Sequence, residues 1–220
     1  MSKILAIETS ADTCGICLLV SDEMVAWRRF HHEMHLSERI LGDIKAVLEE
    51  GECSLHELTG IGVGVGPGSF TGVRIGVMTA KCLAMSLNIP LASVTASEAL
   101  AFPYINASYD RIDAVIRARP DFVYLQRFDA SGVAETDIEL MEISEVVARI
   151  TASSEMNSIA TGSISDALQS GISGKCKVDS GAWPTVGSVA RLAATKISSG
   201  IHADPLTLEP TYVSPPPIRN

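Results

Sequence analysis

The stretch that most restricts the fold of this chain is a glycine-rich strand followed by an apolar helix. Glycines alternate along residues 60–65, which predicts a buried strand that another part of the backbone approaches closely, and residues 66–68 predict a turn after it. Over residues 73–87 the charged side chains are Arg74 and Lys81 alone. A helix that is apolar on nearly every side must be covered on nearly every side. The sequence therefore predicts that this helix packs on its own sheet and on a second cover.

Small residues recur every four positions along this predicted helix. Gly72, Gly76, Ala80 and Ala84 occupy one helical face. Small side chains allow two helices to approach closely, so this stripe is predicted to be the place where a neighbouring helix packs. The alternative is a helix that is buried entirely within its own domain.

Composition limits the classes of function that are open to the chain. Its 220 residues suffice for one large domain or two small ones, and its net charge of -9 argues against binding nucleic acid on its own. No stretch approaches the roughly 20 uncharged apolar residues of a membrane span. Five cysteines without framework spacing predict free thiols in a reducing compartment. We therefore expect a cytoplasmic protein without a membrane segment.

The order of predicted elements indicates a ribonuclease H-like lobe in the first half of the chain. Three strands that form an antiparallel meander precede a helix, and strand, helix and strand follow. The predicted strands are residues 3–9, 15–20, 25–30, 60–65 and 91–94, and the predicted helices are residues 37–50, capped by Ser37, and 71–88, capped by Ser69 or Thr71.

The pattern starts again in the second half, which predicts a second lobe with less helix and more loop. Its predicted strands are residues 112–117, 122–128 and 158–161, and its predicted helices are residues 144–150 and 185–199. The predicted domains are residues 1–102, residues 103–204 and an extended proline-rich tail of residues 205–220 that contains Pro215, Pro216 and Pro217.

Motifs for catalysis or metal binding are weak. The glycines of residues 62–66 match neither the dinucleotide fingerprint nor the P-loop, and no G-x-S-x-G elbow is present. Cys14 and Cys17 form a lone C-x-x-C pair and are predicted to be core cysteines. His32 and His35 lie one residue closer together than in the H-E-x-x-H zinc motif. The sequence therefore predicts no metal site and no nucleophilic catalysis.

Several longer motifs resemble one protein family over the whole length of the chain. They closely resemble the TsaB (YeaZ) family, and the stretch from Gly66 to Gly72 is highly specific to it. The resemblance implies two ribonuclease H-like lobes of the actin, sugar kinase and Hsp70 superfamily, the second lobe reduced. The motifs are ILAIETS at residues 4–10, HLSE at 35–38, GPGSFTGVRIG at 66–76, AKxLA at 80–84 and PxYV at 210–213.

The resemblance also implies a pathway and partners. It implies a role in making N6-threonylcarbamoyladenosine on tRNA, in which a TsaD-type catalytic paralogue pairs with a TsaB-type subunit and a TsaE-type ATPase binds the pair. Contact with tRNA is expected only through that complex. A homodimer is expected when the chain is alone, because the apolar surface then lacks its cover. The residues expected to bind the partner are Ile40, Leu41, Ile44, Val73, Val77, Met78, Lys81 and Met85.

The same resemblance implies that the chain is not itself an enzyme. TsaD-like proteins carry two metal-binding histidines after the strand that corresponds to residues 91–94. Here those two positions hold Ala96 and Leu100, whose side chains have no lone pair to give to a metal. We therefore expect an activating subunit without catalytic residues and without a required cofactor.

Two other functions remain open from the sequence. One is a nucleotide-binding regulator, in which two turns hold the phosphates of weakly bound ADP or ATP, although Glu8 stands where a kinase usually has aspartate. The other is a glycoprotease-like hydrolase, for which the sequence offers no catalytic set. The residues expected to bind nucleotide are Thr9, Ser10, Asp12, Gly66 and Gly68.

Overall fold

The computed structural model describes residues 1–31, 35–152 and 157–213. The chain forms two compact units, and each unit contains one five-stranded sheet. Of these described residues, the first unit comprises those within 1–96 and 184–211, and the second unit comprises those within 97–183 together with Tyr212 and Val213.

Each half of the chain has three consecutive strands followed by alternating helices and strands. In chain order they are β1 (Lys3–Glu8), β2 (Thr13–Val20), β3 (Glu23–His31), α1 (Leu36–Glu50), β4 (Gly60–Gly64), α2 (Phe70–Leu87), β5 (Leu91–Val94), α3 (Ala96–Ala101), β6 (Arg111–Arg119), β7 (Phe122–Asp129), β8 (Glu139–Glu142), α4 (Ile143–Thr151), β9 (Ser158–Gly162), α5 (Asp166–Ile172), β10 (Lys177–Ser180) and α6 (Val186–Ser198).

The two sheets share one topology. The first sheet has the strand order β3-β2-β1-β4-β5, in which β2 pairs antiparallel with β1 and β3, while β4 is parallel to both β1 and β5. The second sheet has the order β8-β7-β6-β9-β10 with the same pattern of directions. This is the ribonuclease H-like arrangement in both units, so the predicted fold class is confirmed.

The second unit is reduced in helix but not in strands. Its helices α4 and α5 have 9 and 7 residues, whereas α1 and α2 have 15 and 18. The sequence patterns did not predict α3, β8, α5 or β10. Each of these elements has seven residues or fewer, which is too short to show a clear hydrophobic period.

The last helix lies in the first unit, and its predicted place in the second lobe is wrong. Helix α6 packs on β1, β4 and β5. Glycines on this face of β4 leave room for it, because a Cβ atom on Gly62 would lie 2.5 Å from the Cβ of Ala193, and one on Gly60 would lie 2.6 Å from Ile197. The alternating glycines of β4 therefore do allow close approach, as predicted, and α6 is the element that approaches.

Helices α1 and α2 cover the opposite face of the first sheet. That face of β4 presents Ile61 and Val63, which pack with Val73 and Val77 of α2 in one buried core. Helix α2 is long and apolar enough to cross a membrane by length and composition alone, with a mean hydropathy of 1.2. Core helices of soluble proteins can have the same length and hydropathy, and one face of α2, which includes Val73 and Val77, is buried in the core of the first unit.

The starts of the two helices differ in how they are capped. The hydroxyl of Ser69 accepts a hydrogen bond from the N–H of Gly72 at 3.2 Å, so Ser69 is the cap of α2. Helix α1 begins at Leu36 after His35 and has no side-chain cap. The predicted cap at Ser37 is wrong, because Ser37 lies inside the first turn.

The segment after α6 is bound to the first unit. The N–H of Ala203 donates to the carbonyl of Leu91 at 2.7 Å, and the N–H of Thr211 donates to the carbonyl of Val65 at 2.8 Å. The Lys81 ammonium of α2 donates to the carbonyl oxygens of Leu208, at 2.8 Å, and Leu206, at 3.5 Å. Residues 205–211 are therefore not a free tail, and Pro215 to Pro217 lie outside the described residues.

Replacing Lys81 by Met should loosen this C-terminal segment. The variant keeps the aliphatic stem but removes both hydrogen bonds, at an expected cost of about 1 to 2 kcal/mol. Amide hydrogen exchange at Leu206 to Thr211 should accelerate. Lys45→Met is the matched control, because Lys45 makes only an exposed 3.6 Å ion pair with Glu49. Equal exchange rates in the two variants would show that Lys81 does not hold the segment.

Candidate partner-binding surface

The stripe of small residues on α2 faces its own sheet. The hydroxyl of Thr9 donates to the carbonyl of Gly72 at 2.8 Å, and a Cβ atom on Gly76 would overlap the same hydroxyl. Ala80 and Ala84 are buried in the core. The prediction that a neighbouring helix packs on this stripe is therefore wrong, because the end of β1 already occupies it.

The opposite side of α2 carries large apolar side chains that are open to solvent. Met78 is 60% exposed and Met85 is 52% exposed, and Leu41 of α1 beside them is 61% exposed. Leu41 and Met78 border a groove of about 540 Å³ between α1 and α2, whereas Met85 is exposed on α2 outside the lining of this groove. The groove is lined by Ser37, Ile40, Leu41, Arg74, Ile75, Met78, Thr79, Cys82, Leu83 and Ser86.

A second hollow of about 350 Å³ continues this apolar surface along α1. It shares Leu41 and Leu83 with the groove and extends to Leu55, which is 40% exposed. A single surface on α1 and α2 therefore presents two adjoining apolar depressions, and we call it the α1/α2 surface. Exposed apolar patches of this kind mark interaction sites more often than single exposed apolar residues do.

The eight residues predicted to bind a partner divide into three groups. Leu41, Met78 and Met85 lie on the α1/α2 surface, where contact with a partner stays a prediction. Lys81 is engaged by its own C-terminal segment. The other four residues are at most 3% exposed. Two of them, the isoleucines, line the depressions, where contact with a partner stays a prediction, and the two valines lie in the core of the first unit, so their predicted contact with a partner is wrong. The four are Ile40, Ile44, Val73 and Val77.

The sequence patterns did not single out Ile75, Cys82 and Leu83, which complete the groove. The helical period predicts which way these side chains point only when it is known which way the stripe of small residues faces. Because the stripe faces the sheet, the residues on the far side of the helix must face outward. The helical period can be read from the sequence, whereas the direction in which the stripe faces cannot.

The two turns that were expected to hold a phosphate are bonded directly to each other. The N–H of Ser69 donates to the carbonyl of Ser10 at 2.6 Å, and a Cβ atom on Gly68 would overlap that carbonyl. Thr9, Ser10 and Gly66 are buried, whereas Asp12 is exposed. The two turns are therefore packed against each other, while Gly68, like Asp12, is exposed. Nucleotide binding by this chain stays a prediction.

Glu8 lies at the end of β1 and is fully buried. Burial raises the pKa of Glu8 to about 7, and a hydrogen bond from the N–H of Ser10, at 2.5 Å, offsets part of this effect. Its other carboxylate oxygen, Oε2, lies against Gly64 and has no hydrogen-bond partner within the described part of the chain.

The positions expected to lack metal ligands lie together on α3. Ala96 and Leu100 are four residues apart, both buried and both apolar. Residues 1–31, 35–152 and 157–213 contain no group of three or more His, Cys, Asp or Glu side chains that could hold a metal ion. His32 lies outside the described residues, so the predicted absence of zinc there stays a prediction.

The two cysteines of the C-x-x-C pair are core residues, as predicted. Cys14 and Cys17 are buried, and burial raises the pKa of each thiol to about 12. A thiol with so high a pKa is almost entirely protonated at neutral pH, and the protonated form is a poor nucleophile and a poor metal ligand.

Alanine substitution at two helical glycines should have opposite effects on stability. Gly42→Ala, in α1, should stabilise the protein by about 0.5 to 1 kcal/mol, because nothing lies within 4 Å of the new Cβ atom. Gly76→Ala should destabilise it by about 1 to 2 kcal/mol, because overlap with Thr9 outweighs the same gain in helix propensity. Urea unfolding of both variants measures the difference. Stabilisation by Gly76→Ala would show that α2 does not pack this closely on β1.

Proteins of one biosynthetic pathway are similar to this chain in sequence. The tRNA threonylcarbamoyladenosine biosynthesis protein TsaB of Bacillus subtilis (strain 168) is 43% identical over 98 residues, which is 44% of this chain and 43% of that protein. The protein of the same name from Haemophilus influenzae is 30% identical over 155 residues, which is 69% of this chain and 64% of that protein. The matched part thus spans less than two thirds of the length of either relative.

A solved structure and a family model extend the similarity. YeaZ from Pseudomonas aeruginosa has a TM-score of 0.80 at 24% identity and covers 96% of this chain and 100% of its own, which establishes the shared fold. A family model described as TsaD, tRNA N6-adenosine threonylcarbamoyltransferase, matches residues 31–177, more than half of the chain. Given this match and the TsaB relatives, the chain belongs to the TsaB (YeaZ) family.

Proposed function

We propose that this chain is a non-catalytic subunit that binds and activates a TsaD-type catalytic subunit in the synthesis of N6-threonylcarbamoyladenosine on tRNA. The observation that carries the proposal is the α1/α2 surface, on which Leu41, Met78 and Met85 are each more than half exposed. Removing such side chains from water is a favourable contribution to association. A partner with a matching pair of apolar helices would cover them.

The distribution of apolar and charged side chains on the α1/α2 surface suits a specific interface. Stable protein interfaces bury about 800 Å² on each partner and have an apolar centre with a polar rim. The two depressions supply the apolar centre, while Arg74 and the Lys45–Glu49 ion pair lie among their lining residues and at their edges. Met78 and Met85 are flexible side chains that adapt to the shape of a partner.

The non-catalytic part of the proposal rests on α3. The positions of the two metal-binding histidines of TsaD-like proteins are held by Ala96 and Leu100. Both side chains are buried and neither offers an electron pair. The chain would therefore contribute binding energy and position to the complex, and the partner would supply the chemistry.

The resemblance to the family also suggests further partners and a location for the complex. A TsaE-type ATPase would bind the pair, and the complex would be cytoplasmic. The net charge of -9 supports contact with tRNA only through the complex, because binding phosphates requires clustered Lys and Arg. In the absence of the catalytic subunit, the same α1/α2 surface would support a homodimer.

The first test is light scattering on a sizing column. The chain is measured alone, the TsaD-type protein of the same organism is measured alone, and then the two are measured together. A new 1:1 peak that replaces any homodimer supports the proposal. Two unchanged peaks would contradict it, and titration of the chain with ADP and ATP by calorimetry would then test the nucleotide-binding alternative.

A charge at the centre of the α1/α2 surface should prevent binding. Met78→Asp should weaken the complex at least ~30-fold, because burying a carboxylate at an interface centre costs about 2 kcal/mol or more. The matched control is Val133→Asp, since Val133 is also exposed, at 62%, but lies in the second unit. Isothermal titration calorimetry measures both affinities, and circular dichroism confirms that both variants fold. Equal affinities would place the interface elsewhere.

A further inference from the structure

The solvent side of α2 carries a stripe of large side chains that runs the length of the helix. Phe70, the first residue of α2, is 42% exposed, and Met78 and Met85 are 60% and 52% exposed. At 3.6 residues per turn these three positions lie within about 80° of one another around the helix axis, and at 1.5 Å per residue they span about 22 Å along it. Arg74 lies one turn after Phe70, and its guanidinium carbon is 4.1 Å from the centre of the Phe70 ring. We call these four residues the outer ridge of α2.

The two sides of the outer ridge have different neighbours. Lys81 and Cys82 are consecutive positions between its two methionines, and because each residue turns the helix by about 100°, their side chains point to opposite sides of the ridge. Cys82 lines the groove between α1 and α2. The ammonium of Lys81 instead donates to the carbonyl oxygens of Leu208 and Leu206, at 2.8 and 3.5 Å. The groove therefore lies on one side of the outer ridge, and the C-terminal segment, residues 205–211, lies on the other.

A hydrogen-bonded turn presents Leu206 to solvent on this second side of the ridge. The carboxylate of Asp204 accepts from the N–H of Leu206 at 2.9 Å and from the hydroxyl of Thr207 at 3.3 Å, and the carbonyl of Asp204 accepts from the N–H of Leu208 at 2.9 Å. Leu208 packs against the core of the first unit, whereas Leu206 is 73% exposed. Because the turn is already ordered, a contact with Leu206 costs little conformational entropy of the backbone.

A partner that covers the whole outer ridge reaches the C-terminal segment. Met85 does not line the groove or the adjoining hollow, so an occupant of those two depressions alone would leave it exposed. An α-helix with its side chains is about 10 Å across, and a packed helix places side chains on both sides of the ridge that it covers. A helix laid along the outer ridge would therefore contact the groove on one side and the turn that carries Leu206 on the other.

We propose that one helix of the TsaD-type catalytic subunit lies along the outer ridge of α2, and that Phe70 and Leu206 contact it in addition to the α1/α2 surface. This inference rests on the proposed function and extends its interface to the C-terminal segment. The length of the ridge fits a helix of about four turns. Arg74 and Lys81, the two charged residues of α2, are both positive, so the covering helix is expected to be apolar with a carboxylate opposite Arg74.

The test is isothermal titration calorimetry of the full chain with the TsaD-type protein of the same organism. Leu206→Asp should weaken binding at least ~10-fold, because its carboxylate would be buried against an apolar helix. The matched control is Ile201→Asp, which should leave the affinity unchanged. Ile201 is 60% exposed and lies in the same part of the chain, but its N–H donates to the carbonyl of Lys196 at the end of α6, on the opposite face of the sheet from α2. Circular dichroism confirms that both variants fold.

A second measurement uses the unaltered chain. Amide hydrogen exchange at residues 206–208 should slow roughly fivefold or more when the TsaD-type protein is added in excess, while exchange at Leu125 in the second unit should not change. Equal affinities of Leu206→Asp and Ile201→Asp, or unchanged exchange at residues 206–208 in the complex, would overturn this inference. If Met78→Asp still weakened binding, the proposed function would stand without it. Failure of the unaltered chain to bind would overturn both.

Discussion

The packing of the first unit depends on the distance between its sheet and the helices on each face, α6 on one face and α1 and α2 on the other. Protein interiors are packed as densely as organic crystals, so the separation of layers is set by the side chains between them. On one face Gly60 and Gly62 admit α6, and on the other Gly76 admits the end of β1 against α2. Small residues are therefore placed where backbone segments meet, and the larger apolar side chains fill the remaining volume.

Because small residues and valines complete the inner face of α2, the apolar side chains on its outer side are not needed for packing on the sheet. The inner face of the helix is completed by Gly72, Gly76, Ala80 and Ala84 together with two valines, Val73 and Val77. The methionines are not needed there, and an ordinary surface helix would have polar residues in their place. Met78 and Met85 are instead exposed next to Leu41. A sequence that retains apolar side chains on the solvent side of a well-packed helix is typical of a protein with a partner.

Much of the fold was predictable from the sequence, but the orientation of its elements was not. Alternation and turn residues predicted five strands of the first sheet, and the four-residue period predicted a stripe on α2. A period does not show whether the stripe faces the helix's own sheet or a neighbouring helix, and the prediction placed a neighbouring helix against Gly76. Glu8 was noted only as a variant of a kinase aspartate, because burial of a single residue at a strand end leaves no pattern. The assignment of α6 failed because its contacts with β4 span more than a hundred residues of sequence.

Because α6 comes late in the sequence but belongs to the first unit, it affects the order in which the two units can fold during synthesis. A chain is synthesised from its N-terminus, and domains generally fold as units once all their parts are present. The first unit includes residues 184–211, so its sheet is covered on only one face until α6, residues Val186–Ser198, has been made. Until then the glycine side of β4 faces solvent without α6. The strands and helices of the second unit lie within residues 97–183 and are therefore synthesised before α6 completes the first unit.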